Sequence, residues 1–158
     1  MFREVWLRAA CSCCLMSAAF IVSGCGKSHP VGCYSVEGQV LMDDKPLYEA
    51  RVVFHPLTPL PENIAKPIAV SDEQGKFSLT TFEKDDGAPP GEYAITVEYR
   101  ELRLVGEEEI RDGRDLLDPM FSDPKRTSLK YEVIEGKNDV PPLKVHGPVT
   151  GLSEVEAR

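Results

Sequence analysis

The sequence predicts an all-β fold, a seven-stranded antiparallel β-sandwich that follows an N-terminal lipoprotein signal peptide. Three observations predict it: apolar and polar residues alternate in short runs, turn-forming residues separate the runs, and no helical pattern of any length occurs. Seven short strands within about 110 residues are typical of one pair of packed sheets. We therefore expect a single domain over residues 34–146, followed by a flexible tail over residues 147–158.

The first 24 residues have the pattern of a secretory signal peptide. Arg3 and Arg8 give it a basic start, and the uncharged run over residues 11–22 is too short for a transmembrane helix. The run ends in Val22-Ser23-Gly24-Cys25, which resembles a bacterial lipobox, a signal in which the cysteine thiol is acylated and the cysteine becomes the new N-terminus. We predict lipidation of Cys25, and hence export and a lipid anchor to a membrane of the cell envelope. The alternative is a plain signal peptide that contains a cysteine.

The lipidated cysteine and a short polar tether cover residues 25–33. Eight residues separate Cys25 from Tyr34, and at about 3.3–3.6 Å per residue they hold the domain within roughly 29 Å of its anchor. Cys33 is the one other cysteine after the signal, so no intramolecular disulfide is available once Cys25 is acylated. Its thiol is then buried and inert, free, or paired between chains.

The first two strands are predicted on either side of a turn. Residues 34–42 alternate as a half-buried strand, and residues 43–46 (Asp-Asp-Lys-Pro) supply turn chemistry. Residues 50–55 alternate again, with His55 on the polar face, and Pro56 ends that strand. A proline-rich loop follows.

The third and fourth strands are predicted over residues 68–70 and 77–81. Between them, Asp72 at the turn entry and Gly75 form a hairpin signal, so we expect the two strands to pair as neighbours. Residues 83–91, rich in Gly and Pro, are then expected to cross between the sheets.

The strongest strand signal lies over residues 93–99, which we place at the centre of a sheet. Its inward side chains are expected to meet those of three other strands in the core. This predicted core consists of Val52, Phe54, Phe77, Leu79, Tyr93, Ile95, Val97 and Tyr99.

The connection over residues 101–128 has no sustained period, and we expect a long loop with at most one helical turn, over residues 106–111. Long loops in compact domains are often functional. Its apolar residues include Leu102, Leu104, Ile110, Leu116, Leu117, Met120 and Phe121. Those that stay exposed would form a partner patch, so deletion of Glu107–Arg111 should leave folding largely intact and weaken partner recovery.

The last two strands are predicted over residues 129–133 and 140–145, with a tight turn at residues 135–138 between them. Pro141 and Pro142 lack N–H donors, so the final strand should lie at a sheet edge.

Several short motifs occur in an order that resembles a known family. They are Val36-x-Gly38-x-Val40, Pro46-Leu47, Ala50-x-Val52-x-Phe54, Asp72-x-x-Gly75-x-Phe77, Pro90-Gly91-x-Tyr93 and Gly136-x-Asn138. Together, over roughly residues 34–145, they resemble the carboxypeptidase regulatory-like domain, a family with a transthyretin-like (prealbumin-like) sandwich that is also Ig-like. Residues 118–129 are similar to bacterial lipoproteins of this group. The resemblance implies a non-catalytic accessory or adhesion-type module without implying a ligand. The family often has a small residue or Gly where this chain has Glu49.

Charge and residue types exclude several function classes. The net charge of −8 argues against nucleic-acid binding, which needs Lys and Arg opposite phosphates. His29, His55 and His146 are scattered without metal-ligand spacing, and no cofactor motif occurs, although a Ser-His-Asp site assembled from distant residues stays open. The loop acids are expected to be solvated charges, and Asp85 with Asp86 is the one calcium candidate.

Three functional classes follow. We favour a membrane-anchored, non-catalytic binding or structural module of the envelope, with an envelope protein as partner. The first alternative is an accessory subunit of an envelope peptidase or transporter. The second is a hydrolase related to the transthyretin-like hydroxyisourate hydrolases, which end in Tyr-Arg-Gly-Ser, whereas residues 155–158 of this chain are Val-Glu-Ala-Arg. We therefore expect no enzyme.

Overall fold

The computed structural model describes residues 31–61 and 64–148, which form eleven strands and no helix. The strands are β1 (Val36–Met42), β2 (Lys45–Pro46), β3 (Arg51–Pro56), β4 (Ile68–Val70), β5 (Lys76–Ser78), β6 (Gly91–Glu98), β7 (Arg100–Val105), β8 (Glu108–Asp115), β9 (Lys130–Val133), β10 (Asn138–Asp139) and β11 (Leu143–Val145). The all-β prediction is confirmed for these residues. Strands occur at the seven predicted places, and β2, β7, β8 and β10 are four more than predicted.

The first sheet is built around β1. β2 and β5 pair with it antiparallel, whereas β10 and β11 pair with it in parallel. The prediction of a purely antiparallel sandwich is therefore wrong for this sheet. The parallel pairing is possible because the chain returns from β9 through the turn at Gly136 and then runs alongside β1. β10 and β11 pair with no other described strand, so Pro141 and Pro142 between them lie at an edge, as predicted.

The second sheet has the order β4-β3-β6-β9 and is antiparallel throughout. β6 lies between β3 and β9, which confirms its predicted central position. The register places Val52 opposite Val97 and Phe54 opposite Ile95, so these four side chains share one face.

One hydrophobic core lies between the two sheets. Of the eight predicted core residues, seven are buried and Tyr99 is partly buried against them. The rings of Phe54 and Tyr93 meet with their centroids 5.7 Å apart, and the Tyr93 hydroxyl donates a hydrogen bond to the Pro89 carbonyl over 2.8 Å. Leu117 and Phe121 from the long connection complete the core.

The predicted pairing of the third and fourth strands is wrong. β4 joins β3 and β5 joins β1, and the two are linked by a single bridge between Ile68 and Thr80. The turn between them does form, because the Asp72 carboxylate accepts hydrogen bonds from the backbone N–H groups of Gln74 and Lys76. The chain therefore crosses between the sheets at this turn.

Gly38 explains why β5 pairs with β1. The Phe77 ring packs directly over this glycine, where a Cβ would lie 2.6 Å from a ring carbon. Only a residue without a side chain allows the ring this close to the β1 backbone. Packing of Phe77 thus draws β5 onto β1 and away from β4.

The long connection is also different from its prediction. Residues 100–115 form an antiparallel hairpin, β7–β8, where a loop with a helical turn was expected. All residues from Arg100 to Ile110 are exposed, so neither face of the hairpin has the alternation that burial imposes on a sequence. The hairpin instead depends on backbone pairing and on its two-residue turn.

Candidate functional site

The β7–β8 hairpin is exposed over most of its length. Its turn consists of Gly106 and Glu107, and Gly106 has a φ of 69°, a conformation that favours glycine. Both strands pair only with each other among the described strands, so both outer edges are open. Leu104 is 71% exposed, and Leu102, Val105 and Ile110 are exposed as well. Leu102, Leu104 and Ile110 are therefore the apolar residues named from the sequence that stay exposed.

The cross-strand pairs show how the hairpin side chains divide between two faces, since directly opposed residues share a face. Leu102 opposes Arg111 and Leu104 opposes Glu109 on one face. Arg103 opposes Ile110 on the other, where Arg103 also lies 3.8 Å from the Asp112 carboxylate. Each face therefore combines apolar and charged groups. This composition suits a surface that is solvated in the free protein and that a binding partner can cover.

Arg111 fixes the root of the hairpin to the sandwich. Its Nε lies 2.6 Å from a Glu49 carboxylate oxygen, its guanidinium stacks 4.6 Å from the Tyr99 ring centre, and its Nη1 donates to the Arg100 carbonyl. The Asp115 carboxylate adds a second link by accepting the Tyr99 N–H. The β7–β8 hairpin is thus held at its root, while its turn has no partner among the described elements.

Glu49 has a left-handed backbone, with a φ of 59°. This is the position where the resembling family often has a small residue or Gly, and the backbone conformation is the one that glycine adopts most readily. The side chain of Glu49 makes this backbone conformation strained, but its carboxylate forms the ion pair with Arg111. Sequence reasoning noted the departure at Glu49 but missed this pairing.

A groove of about 810 Å³ separates β4 from β5 beyond the Ile68–Thr80 bridge. Its walls include the outward side chains of Ile68 and Val70, with Lys76, Lys84 and Asp85 around them. Sequence reasoning missed the groove because it placed the two strands side by side. The signal that could have revealed the groove is that Ile68 and Val70, on either side of Ala69, are both apolar. Of these three residues only Ala69 faces the core.

The proposed calcium acids serve a structural purpose. The Asp86 carboxylate accepts hydrogen bonds from the backbone N–H groups of Thr81, Phe82 and Glu83 at 2.7–3.1 Å, so both oxygens are engaged in shaping the loop. Asp85 is exposed and has a φ of 58°. Within residues 31–61 and 64–148, no group of three or more His, Cys, Asp or Glu side chains has a geometry that could hold a metal ion.

The histidines are not brought together. His55 lies on the outer face of the second sheet, as predicted, where its Nε2 is 2.8 Å from the Thr96 hydroxyl. Burial lowers the pKa of His55, Lys66 lowers it further, and Glu98 opposes the shift. His146 packs edge-on against Phe121. His29 lies outside the described residues.

Of the two cysteines that follow the predicted signal peptide, Cys33 lies among the described residues and Cys25 does not. Cys33 is a free thiol of intermediate exposure. Burial raises its pKa, a hydrogen bond with Thr81 lowers it, and the Asp86 carboxylate raises it again, so that the net shift is upward and the thiol is less reactive than an ordinary surface thiol. Cys25 and the signal segment lie outside the described residues. No helix long and apolar enough to cross a membrane occurs in the part of the chain that is described.

Comparisons with known proteins give structural neighbours of low similarity. No protein-family model and no curated protein matches this chain. Among solved structures, a DUF3823 family protein from Parabacteroides merdae aligns at 13% identity and a TM-score of 0.38, over 75% of this chain and 47% of its own. A candidate carbohydrate-binding protein from Pseudomonas aeruginosa aligns at 15% identity and a TM-score of 0.37, over 77% of this chain and 91% of its own.

A 9R-lipoxygenase from Cyanothece aligns at 14% identity and a TM-score of 0.40, over 76% of this chain and 18% of its own. This chain therefore spans about half the length of the DUF3823 protein and about a fifth of the lipoxygenase. We draw no functional conclusion from these likenesses.

Proposed function

We propose that this protein is a lipid-anchored lipoprotein of the bacterial cell envelope that acts as a non-catalytic binding module. Its parts would be a signal peptide (residues 1–24), a lipidated Cys25 with a short tether (residues 25–33), a carboxypeptidase regulatory-like sandwich (residues 34–146) and a tail (residues 147–158). The lipobox pattern supports the anchor, because it stands at the end of an apolar run behind a basic start.

Three of the motif residues of the resembling family support the domain assignment, because the fold requires these residue types at their positions. Gly38 makes room for the Phe77 ring. Gly75 has a φ of 71°, and a Cβ there would lie 2.5 Å from the Val40 carbonyl oxygen. The Asn138 side chain donates to the Ile134 carbonyl and accepts from its N–H, which closes the turn at Gly136. Such requirements explain why these residue types occur in this order.

The observation that carries the binding function is the position of the hairpin. Tyr34, the first residue after the tether, pairs with Ala88 just before the start of β6, and the hairpin begins just after the end of β6. At about 3.3 Å per residue, the eight residues of β6 separate these two points by roughly 25 Å. An anchored domain of this shape would present the hairpin at the end remote from its anchor.

The lipid anchor is tested by intact-mass spectrometry of the mature protein and by fractionation of envelopes. We expect a diacylated or triacylated Cys25 at the N-terminus, and we expect Cys25→Ser to leave an uncleaved precursor or release the protein from membranes. A mature N-terminus elsewhere that carries no lipid would overturn the anchor.

The binding function is tested by photo-crosslinking in cells with a photoreactive amino acid at position 104. We expect a crosslinked product at this position and none with the same group at the exposed Glu135, which follows β9 at the opposite end of β6, where Val133 pairs with Gly91. Recovery of a peptidase or transporter subunit would favour the accessory-subunit alternative. No product at position 104 would contradict the hairpin as a binding element.

A further inference from the structure

The outer edge of β7 has nothing beside it among the described strands. Its pairing with β8 is irregular between Arg100 and Leu102, where the extra residues lie in β8 and not in β7. All six residues of β7 are exposed. A two-stranded ribbon is marginally stable in water, and a third strand with an apolar face is the usual way to stabilise it. The edge also presents unpaired backbone groups, which are a template for another strand.

The turn determines which backbone groups of β7 point outwards. Val105 and Glu108 flank the two-residue turn, and the residues that close such a turn exchange their backbone hydrogen bonds. Because the pattern alternates, Arg103 also bonds towards β8, whereas the N–H and C=O groups of Leu102 and Leu104 point to the open edge. Strand addition at this edge would therefore use Leu102 and Leu104.

The β7 sequence is complementary to itself in one register. If a second copy pairs antiparallel about a two-fold axis at Leu102, Leu102 lies opposite the partner's Leu102 and their backbone groups bond. Glu101 then lies opposite the partner's Arg103, and Arg103 lies opposite the partner's Glu101, which gives two opposite-charge pairs on one face. Leu104 lies diagonal to the partner's Leu102 on the other face.

The neighbouring registers are disfavoured. Moving the axis by one residue would place Arg103 opposite the partner's Arg103, or Glu101 opposite the partner's Glu101, and like charges directly opposite destabilise a sheet. Glu101 forms no ion pair with any described residue of its own chain. Its carboxylate is therefore available for such a contact. The charges of the two sandwiches oppose association little, since they are screened beyond about 8 Å at physiological salt.

We propose that two copies of this chain associate through antiparallel pairing of their β7 edges, which joins the two hairpins into one four-stranded sheet. This partner assignment rests on the proposed role of the hairpin as a binding element. A contact made by one six-residue strand from each copy is small, and small contacts are characteristic of weak, reversible association. Anchoring both copies in one membrane would raise their effective concentration. The association is isologous, so it closes as a dimer.

Sedimentation velocity of the full-length protein in detergent, over a range of protein concentrations, tests the dimer. We expect reversible dimerisation, and we expect Glu101→Arg and Arg103→Glu each to weaken it about tenfold, because each replaces two attractive pairs with two repulsive ones. The double variant E101R/R103E should recover most of the loss. Glu107→Arg is the matched control, since it makes the same charge change in the turn, outside the register.

The results separate this inference from the proposed function. A wild-type protein that sediments as a monomer throughout, or a double variant no better than the single ones, would overturn the dimer. Crosslinking at position 104 to a different envelope protein, together with monomeric sedimentation, would overturn the dimer and retain the binding function. A crosslinked product with the mass of two copies supports both.

Discussion

At the scale of single residues, Glu49 combines a strained backbone with a stabilising ion pair, and substitutions can measure the two effects on the free energy of unfolding separately. Glu49→Ala loses the contact with Arg111 and keeps a side chain in the left-handed conformation, whereas Glu49→Gly loses the contact but removes the strain. We expect the glycine variant to be more stable than the alanine variant by about 1 kcal/mol. Urea denaturation of both variants measures this difference, and an alanine variant equal to or above the glycine variant would contradict it.

Ile95 and Glu98 test the register of the central strand. Ile95 is fully buried, so Ile95→Ala should lower the free energy of unfolding by about 2–5 kcal/mol through the cavity it leaves. Glu98 lies on the outer face and pairs with Arg100 on the surface, so Glu98→Ala should cost about 0.5 kcal/mol or less. Equal losses in denaturant titrations would show that the register is wrong.

His55 should make stability depend on pH. Its pKa in the folded protein is below the usual value of about 6.5, chiefly because burial disfavours the imidazolium ion. As pH falls, the unfolded chain therefore takes up the proton first, so the contribution of His55 is complete above about pH 6.5 and declines below it until the folded protein is protonated too.

Thermal unfolding between about pH 8 and pH 5 measures the effect of His55. We expect the fall in midpoint to be smaller in His55→Gln, whose amide can keep the hydrogen bond to Thr96 without a titrating group. Lys66 and Glu98 are unchanged in both proteins and serve as an internal reference. An equal fall in the variant would assign the pH dependence to other groups.

At the scale of elements, the hairpin should be removable without loss of the fold, provided that its root is kept. Deletion of Glu107–Arg111, which the sequence predicts to leave folding largely intact, removes the Arg111 contacts with Glu49 and Tyr99 and should instead destabilise the domain. Replacing Leu104–Glu109 with a Gly-Gly turn lets the hydrogen-bonded pair Arg103 and Ile110 close the turn, retains Arg111, and should change the free energy of unfolding by about 0.5 kcal/mol or less. Denaturant titration of the two shortened proteins compares them directly, and equal stability would contradict the anchoring role of Arg111.

The elements differ in how far the sequence could predict them. β3 and β6 were predictable because one face of each lies in the core, and burial imposes alternation on the residues of that face. β7 and the first three residues of β8 carry no such signal, since both their faces are exposed. The parallel pairing of β10 and β11 with β1, and the separation of β4 from β5, depend on contacts between distant residues such as Gly38 and Phe77. The candidate surfaces arise at these same unpredicted places.

At the scale of the whole molecule, the proposed anchor and the fold together predict an orientation. The loop around Lys84 lies beside the chain entry, because Gly87 packs against Tyr34 and Ala88 pairs with it. The turn at Glu107 lies beyond the opposite end of β6, and β7 extends about 20 Å from the root. With a tether of at most roughly 29 Å, the Lys84 loop should therefore lie closer to the membrane than the hairpin tip.

Fluorescence quenching by headgroup-labelled lipids measures this orientation in vesicles that carry the lipid-anchored protein. In a Cys33→Ser background, a dye at Lys84→Cys should be quenched strongly and a dye at Glu107→Cys weakly. The two positions are both exposed, so the dyes themselves should behave alike in detergent, which provides the reference for each. Stronger quenching at position 107 would mean that the hairpin faces the membrane, and the tip would then be unable to meet a partner away from the bilayer.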